Sequence, residues 1–265
     1  MKRYAASDFH GHYDLYEAIK KKLNVDDLLY VLGDCADRGP HGWETLTAVI
    51  KDPQCVLILG NHEAMLRDTM AAWYKIQETL KNDNYTDEDI IWTREYELLA
   101  MNGGNDTFWS WRQTGDDMYM WYQRLQMLPL EYQVFDSCCG RPVILTHAGY
   151  TIGKRPEDEE DIIWNRNHFF ENWDETKPIG NAIVIHGHTP QEYLIERLID
   201  YASLYDRKYI ETDFKIIDTN EQNEWHIYDL TYSDGHKICI DPGTVISKRG
   251  LIINLDTLEQ EVVHF

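Results

Sequence analysis

The chain has 265 residues, of which 43% are hydrophobic and 12% aromatic, enough for one sizeable core. It has no run of about 18 or more apolar residues, so we expect no membrane span, and the stretch after Lys2 and Arg3 is too short for a signal peptide. The net charge of -21 argues against a binder of duplex nucleic acid or of anionic membranes. A cytoplasmic protein with reduced thiols is therefore the default expectation.

Short apolar runs recur along the chain, and several of them end at a polar cluster. The runs 28–32, 56–59, 143–145 and 183–185 are followed by Gly33-Asp34, Gly60-Asn61-His62, Thr146-His147 and His186-Gly187-His188. Their Val, Ile and Leu content predicts buried strands. Reactive side chains directly after strand ends are typical of α/β folds. No repeat or Pro/Gly/Ser linker interrupts the chain, which favours a single domain over residues 1–265.

Residues 64–128 have a different character and predict a helical insertion rich in tryptophan. Near-helical spacing marks its first helix at Leu66, Met70, Trp73 and Leu80. Thr86 with Asp89 three residues later resembles a capping box that opens another helix. A last helix is predicted from Met118 and stops before Pro129. We interpret the tryptophans as core side chains more readily than as a substrate platform: Trp73, Trp92, Trp109, Trp111 and Trp121.

Five short motifs carry the candidate chemistry. In chain order they are Asp8-x-His10-Gly11-His12, Gly33-Asp34-Cys35-Ala36-Asp37-Arg38-Gly39, Gly60-Asn61-His62-Glu63, His147-Ala148-Gly149 and Gly187-His188-Thr189. Each is weak alone, because Asp, Asn and Gly are common at turns. The ordered set is more specific, since two divalent ions about 3.5–4 Å apart need a bridging carboxylate with carboxylate and imidazole ligands on either side.

The residue types predict two metal sites that share one carboxylate. Asp8, His10 and Asp34 could build the first site. The second would combine the shared Asp34 with three further ligands, Asn61, His147 and His188. Imidazole suits Mn, Fe or Zn, and carboxylate favours harder ions. Two divalent ions are therefore the expected cofactors, with Mn preferred and Fe, Zn, Ni or Co as alternatives. His12 and His186 are interpreted as neighbours of the site, not as ligands.

The motifs resemble those of the phosphoprotein phosphatase family of calcineurin-like metallophosphoesterases: G-D-x-H-G, G-D-x-x-D-R-G, G-N-H-E, H-x-G and G-H. The second and third match fully, and the first has Ser7 where Gly is usual. The resemblance covers roughly residues 1–190 and an Ile240-Asp241-x-Gly243 signature, and it is nearest to the bacterial and phage branch. Residues 193–236 match no part of it. It implies a four-layer α/β sandwich of two mixed sheets flanked by helices, with the site at one edge.

The same resemblance implies catalytic roles. A metal-bridging hydroxide would attack phosphorus in line, and His62, oriented by Asp37, would protonate the leaving oxygen. Arg38 would bind the phosphoryl oxygens with its planar guanidinium. A second arginine is expected further along the chain; Arg166 fits the family position best, and Arg141 and Arg155 are alternatives.

Three functions are compatible with these motifs. The first hypothesis is a phosphomonoesterase of the protein Ser/Thr phosphatase type, acting on phosphoproteins or small phosphoesters. The second is a diphosphate-cleaving enzyme, such as a diadenosine tetraphosphate hydrolase, acting on dinucleoside polyphosphates. The third is a metal-binding regulatory module without turnover, which the presence of His62, Asp37 and Arg38 argues against. The motifs do not separate the first two, because substrate choice depends on the insertions.

Overall fold

The computed structural model describes residues 1–79, 86–135, 140–150, 159–166, 168, 180–205, 214–233 and 235–265. In chain order the strands are β1 (Arg3–Ala6), β2 (Leu28–Val31), β3 (Cys55–Leu57), β4 (Glu131–Val134), β5 (Val143–Thr146), β6 (Ile183–His186), β7 (Lys215–Asn220), β8 (Trp225–Tyr232), β9 (Lys237–Cys239), β10 (Arg249–Asn254) and β11 (Gln260–His264). The helices are α1 (Tyr13–Lys20), α2 (Gly42–Lys51), α3 (Asn61–Thr79), α4 (Arg94–Met101), α5 (Asn105–Thr114), α6 (Met118–Gln126), α7 (Glu159–Ile163), α8 (Gln191–Tyr205) and α9 (Thr244–Ser247), with a 3₁₀-helix at Asp87–Trp92.

The strands form two mixed sheets. The first has the order β11-β10-β1-β2-β3, and the second has the order β4-β5-β6-β9-β8-β7. In the first sheet β1, β2 and β3 run parallel, and in the second β5, β6 and β9 run parallel. The carboxyl ends of three neighbouring strands therefore meet at one edge in each sheet, which is where the motifs place their polar residues.

Alternation along the strands explains the layers. In β2, Tyr30 faces a core shared by the two sheets, whereas Leu29 and Val31 face the core beneath the helices. Ala5 and Ala6 of β1 divide in the same way, because successive side chains of a strand point to opposite faces. The expected α/β architecture, with two mixed sheets flanked by helices, is confirmed.

The region after the third motif is helical, as its sequence predicted, but two details differ. Helix α3 begins at Asn61, so the third motif forms the first turn of the helix and not a loop before it. The capping box of Thr86 and Asp89 is present, yet it opens a 3₁₀-helix instead of an α-helix. Leu80, assigned to the first predicted helix, lies outside the described residues.

The tryptophans of this region differ in burial, and Trp109 is partly buried against the core. Trp73, Trp111 and Trp121 are buried in one core with Trp43 of α2. Trp92 is 85% exposed at the end of the 3₁₀-helix. Most of the aromatic surface is thus used for packing, which agrees with the interpretation as core side chains.

The described residues of the segment 193–236 extend the second sheet. They include most of α8 and all of β7 and β8, and α8 packs on β8 and β9 through Leu194, Ile195 and Leu198. None of the described helices combines the length and the apolar character that crossing a bilayer requires.

Candidate dinuclear metal centre

The ends of the parallel strands bring the candidate ligands together. Asp8 lies just after β1, and the others follow β2, β3, β5 and β6 in the same way: Asp34, Asn61, His147 and His188. These side chains and His10 are buried. Hydrogen bonds between the loops fix them, since the His10 amide donates to the Asp34 carbonyl at 2.8 Å and the Gly187 amide donates to the His147 carbonyl at 2.8 Å.

Positive φ angles are concentrated in these loops. Six candidate site residues adopt them: Asp8 (56°), His10 (45°), Asp34 (56°), Asp37 (70°), Arg38 (63°) and His188 (67°). Among the other described non-glycine residues, four do so: Glu224, Ser233, Lys248 and Leu258. The left-handed region is sterically unfavourable for side chains with a Cβ. Such strain clusters at functional sites, where the surrounding structure enforces it.

The Asp34 carboxylate stands between two groups of potential ligands. Its Oδ2 lies 3.9 Å from His10 Nε2 and 3.8 Å from His62 Nε2. Its Oδ1 lies 3.4 Å from His147 Nε2. Each oxygen of one side chain therefore faces a different group, and the groups are His10, Asp34 and His62 on one side and Asp34, His147 and His188 on the other.

In the second group, atoms that carry lone pairs face one another without a hydrogen between them. His147 Nδ1 lies 2.6 Å from the Leu32 carbonyl, to which it donates, so a neutral ring presents a lone pair at Nε2. That nitrogen lies 2.8 Å from Asn61 Oδ1, and His188 Nδ1 lies 3.0 Å from the same oxygen. The amide oxygen, the imidazole nitrogen and the Asp34 oxygen converge on one point, and a shared cation satisfies all three.

Burial sets the protonation of these ligands. It lowers the pKa of His147 to about 3 and lowers the pKa values of His10 and His188 well below their usual range. Neutral imidazoles are the form that binds metal. Burial, followed by the charge of Asp241, raises the pKa of Asp8, and burial, followed by the charge of Asp8, raises the pKa of Asp34. Carboxylates crowded in this way are stabilised by positive charge between them.

Several buried atoms point into the same space without a hydrogen-bond partner. Among the described residues they include Asp8 Oδ1, His62 Nε2 and His188 Nε2. Buried polar atoms are nearly always satisfied, so atoms without partners that cluster indicate a ligand. The donor set of carboxylate, imidazole and amide oxygen fits divalent transition metals.

His62 and Asp37 form a buried pair beside the first group. His62 Nδ1 donates to Asp37 Oδ2 at 2.7 Å, and both side chains are fully buried. This bond leaves Nε2 directed towards Asp34. The pairing keeps one tautomer and orientation, which suits either proton donation from Nε2 or binding of a cation there.

The predicted arginines lie in different surroundings. Arg38 Nη1 donates to His10 Nε2 at 2.9 Å, so its guanidinium must withdraw from that nitrogen before His10 can bind a cation. Arg166 Nε donates to Thr189 Oγ1 at 3.0 Å, one residue after His188. Arg141 instead donates to the backbone carbonyls of Asn181 and Gly235, away from the candidate ligands. Arg155, the remaining alternative, lies outside the described residues.

Glu63 has a role that the sequence reasoning missed. Its Oε2 accepts from the amides of Asp34 at 2.7 Å and Gly60 at 3.2 Å, and its Oε1 accepts from those of Cys35 at 2.9 Å and Ala36 at 3.2 Å. One buried carboxylate thereby holds the loop that carries the shared ligand. Its place directly after His62 in the third motif was the available signal.

Asp241 was noted only as part of a family signature. It is buried after β9, and burial raises its pKa to about 6. Its negative charge acts on Asp8, while the charges of Arg38 and Arg166 act on Asp241 itself. It is a fifth acidic group at the centre, after Asp8, Asp34, Asp37 and Glu63, and its position at the end of a third parallel strand could have revealed it.

Comparison with known proteins agrees with this geometry. The calcineurin-like phosphoesterase model matches residues 1–217, and the chain belongs to this family. The symmetrical bis(5'-nucleosyl)-tetraphosphatase of Pseudomonas putida (strain GB-1) is 30% identical over 111 residues, 37% of this chain and 38% of that protein. The corresponding protein of Nitrosococcus oceani is 29% identical over 118 residues, 38% of this chain and 40% of its own length. The chain thus spans about two fifths of the length of these relatives.

A solved structure shows the same fold over nearly the whole chain. The crystal structure of a candidate diadenosine tetraphosphatase aligns with a TM-score of 0.52 at 16% identity, covering 99% of this chain and 92% of that chain. The family match and these phosphatase relatives indicate a hydrolase with metallophosphoesterase activity. The family uses divalent metal ions, and the two His/Asp groups are the described residues that fit them.

Proposed function

We propose that this chain hydrolyses phosphate esters and anhydrides at a centre of two divalent metal ions. Mn(II) is the proposed metal, and the proposed ligands are Asp8, His10, Asp34, Asn61, His147 and His188. One observation supports the two-ion arrangement most directly: the two oxygens of Asp34 face separate groups of imidazoles. A single carboxylate placed in this way can bridge two ions, which a mononuclear site does not require.

The chain's own residues supply the other requirements of phosphoryl transfer. The bound ions would contribute Lewis-acid charge next to the phosphoryl oxygens. Arg38 would bind those oxygens once its guanidinium leaves His10, and Arg166 would approach from the side of Thr189. His62 would hold a proton at Nε2 for the leaving oxygen, with its ring oriented by the Nδ1–H bond to Asp37.

Dinucleoside polyphosphates are the substrate class that we favour. The curated relatives are named symmetrical bis(5'-nucleosyl)-tetraphosphatases, and the structural neighbour is a candidate diadenosine tetraphosphatase. Phosphomonoester hydrolysis of the protein Ser/Thr phosphatase type, in its bacterial and phage branch, is the second candidate. Its support is the complete match of the second and third motifs, which carry Asp34, Asp37, Arg38, Asn61 and His62.

A turnover screen separates these candidates. The Mn(II)-supplied protein would be incubated with diadenosine tetraphosphate, with phosphoserine and phosphothreonine peptides and with nitrophenyl phosphate. We expect diadenosine tetraphosphate to give ADP as the only nucleotide product, with a higher kcat/KM than the peptides. Faster turnover of the peptides would favour the second candidate. If no substrate class showed metal-dependent turnover, the better hypothesis would be a regulatory metal-binding module.

A further inference from the structure

A surface groove of about 470 Å³ begins at Thr189, the residue that follows His188 in sequence. Its walls include Arg166, Thr189, Tyr193, Glu196, Arg197 and Asp200. The volume lies within the range of small-molecule sites, which is about 300–1,000 Å³. Most of this wall belongs to residues 193–200, which lie outside the five motifs, so none of the motifs accounts for the groove.

Helix α8 builds one wall of the groove with a regular face. Tyr193, Glu196, Arg197 and Asp200 follow the i, i+3, i+4, i+7 spacing that places side chains on one side of a helix. The opposite side packs on the second sheet through Leu194 and Leu198. Burial of Leu194 and Leu198 therefore fixes the orientation of α8 and directs its polar face towards the groove.

The beginning of α8 is also held by hydrogen bonds. Gln191 Nε2 donates to the carbonyls of Tyr228 and Cys239, each at 2.8 Å, and Gln191 Oε1 accepts from the Tyr228 amide at 2.9 Å. Tyr193 packs edge-on against Trp225, with ring centroids 5.4 Å apart. A wall anchored in this way is preorganised, which lowers the entropic cost of binding.

Arginines connect the groove to the centre. Arg166 borders the groove and is bonded to Thr189, the neighbour of His188 in sequence. Partial burial, followed by the positive charges of Arg197 and Arg38, lowers the pKa of Arg166, which places the three guanidinium groups within electrostatic reach of one another. Arg197 is exposed, and it makes no ion pair with the other described residues. Arg166 thus joins the groove to the residues around Thr189, and Arg197 adds a second positive charge on α8.

The side chains that line the groove differ in charge and polarity. Two guanidinium groups suit a phosphate, the Glu196 carboxylate suits the hydroxyls of a ribose, and the Tyr193 ring suits the face or edge of a base. We propose that this groove is a nucleotide subsite, with Arg166 and Arg197 holding the phosphate next to the scissile one. A longer inorganic phosphate chain would meet the carboxylates of Glu196 and Asp200, so the groove should prefer a nucleotide. The proposal rests on the proposed function, because it assigns the leaving half of that substrate.

Inhibition by product tests the subsite. Turnover of nitrophenyl phosphate, which ends before the groove, would be inhibited by ADP, by inorganic phosphate and by tripolyphosphate, with Mn(II) in excess. We expect ADP to bind more tightly than phosphate or tripolyphosphate. Arg197→Ala should raise the Ki of ADP about 10-fold to 100-fold, the range for a lost charge-assisted hydrogen bond. The Ki of phosphate and the kcat/KM for nitrophenyl phosphate should change much less than the Ki of ADP, since neither ligand extends to Arg197.

Two matched variants sharpen this test. Arg94→Ala removes an exposed arginine of α4 outside the groove and should change none of these values. Arg197→Lys keeps the charge but lacks the planar fork, so it should recover part of the ADP affinity. If Arg94→Ala and Arg197→Ala raised the Ki of ADP equally, the effect would come from the change in net charge. That outcome would overturn the subsite.

Calorimetric titration with ADP supplies a readout that needs no turnover. If ADP affinity depends on Arg197 but diadenosine tetraphosphate is not cleaved, the groove stands and the proposed substrate fails. If diadenosine tetraphosphate is cleaved while Arg197→Ala binds ADP as the wild type does, the proposed function stands and the subsite is wrong.

Discussion

The Glu63 carboxylate accepts a hydrogen bond from the backbone amide of Asp34, with Oε2 2.7 Å from the nitrogen. Glu63 belongs to the first turn of α3, whereas Asp34 lies in the loop after β2. The bond therefore fixes the position of Asp34, the proposed shared ligand, from a different element of the fold. Each oxygen of Glu63 accepts hydrogen bonds from two amides. Neither oxygen can therefore be replaced by an N–H group without loss of these bonds.

Glu63→Gln should consequently disturb the centre although it changes only one atom. The amide nitrogen of Gln would face two backbone N–H groups, and the Asp34 loop would shift. We expect metal affinity and kcat/KM to fall about 10-fold to 100-fold, as for the loss of a residue that orients metal ligands. Metal titration and steady-state kinetics measure both. Glu97→Gln, on the exposed side of α4, is the control and should leave them unchanged.

Removal of the metal should abolish activity, and Mn(II) should restore it. Within the ligand set Asp34→Asn should be the most damaging substitution, because Asp34 faces both groups of imidazoles. We expect this variant to lose both ions, and His188→Ala to retain one ion in the group that contains His10. Metal analysis of the purified variants gives the ratio directly. Full turnover by chelated, metal-free protein would disprove the two-metal assignment.

His62→Asn should slow alkyl phosphates more than nitrophenyl phosphate. General acid catalysis contributes about 10²-fold to 10⁴-fold and matters most when the leaving group is poor. Asp37→Asn should show the same dependence on leaving group, because it removes the partner of His62 Nδ1. Metal content must be measured in parallel, since His62 Nε2 also lies in the first metal group. Equal losses on both substrates, together with loss of one ion, would make His62 a ligand instead of an acid.

Salt should affect acidic and basic substrates in opposite ways. The net charge of -21 repels a distant anion, whereas the arginines and ions attract it only nearby. At about 0.1 M salt the Debye length is ~10 Å, so salt screens the repulsion more than the direct contacts. We expect kcat/KM for a phosphopeptide with acidic flanks to hold or rise as salt increases, and that for basic flanks to fall. A steep fall for the acidic peptide would contradict this electrostatic picture.

Two tryptophans of the helical region should respond differently to truncation. Trp111 is 1% exposed and contacts the rings of Trp43 and Phe108, so Trp111→Ala should cost about 3–5 kcal/mol of unfolding free energy. Trp92 is 85% exposed, and Trp92→Ala should leave the unfolding free energy within about 0.5 kcal/mol of the wild-type value. Denaturant unfolding followed by circular dichroism measures both. A large loss for Trp92→Ala would reveal a packing role that its exposure conceals.

The sequence predicted the strands well because burial on both faces produces recognisable runs of Val, Ile and Leu. The run 183–185, for example, lies entirely within β6. The predicted boundary at Asn61 was less accurate, since a short apolar run indicates where a strand ends but not whether the next residue starts a helix. The helix type after Thr86 was missed for a related reason: the same capping box can open an α-helix or a 3₁₀-helix.

The contacts around the centre were less accessible to sequence reasoning than the ligands themselves. Asp34 could be named from a motif, because ligand types and spacing are written in the chain. The clamp by Glu63 depends on four backbone amides that converge from two loops, and the third motif contains Glu63 without indicating these partners. The groove along α8 depends on how Arg197 and Arg166 are brought together in the fold, and neither arginine belongs to one of the five motifs.

The left-handed backbone at six site residues has a consequence for how this chain can evolve. Each such residue with a Cβ costs about 1–2 kcal/mol, while a whole domain is stable by only about 5–15 kcal/mol. The strain summed over the six residues is therefore comparable with the net stability of a whole domain. At Arg38, whose φ is 63°, glycine would relieve the strain and would also remove the guanidinium. A lineage released from selection for hydrolysis should drift towards glycine at such positions and become more heat-resistant as it loses its chemistry.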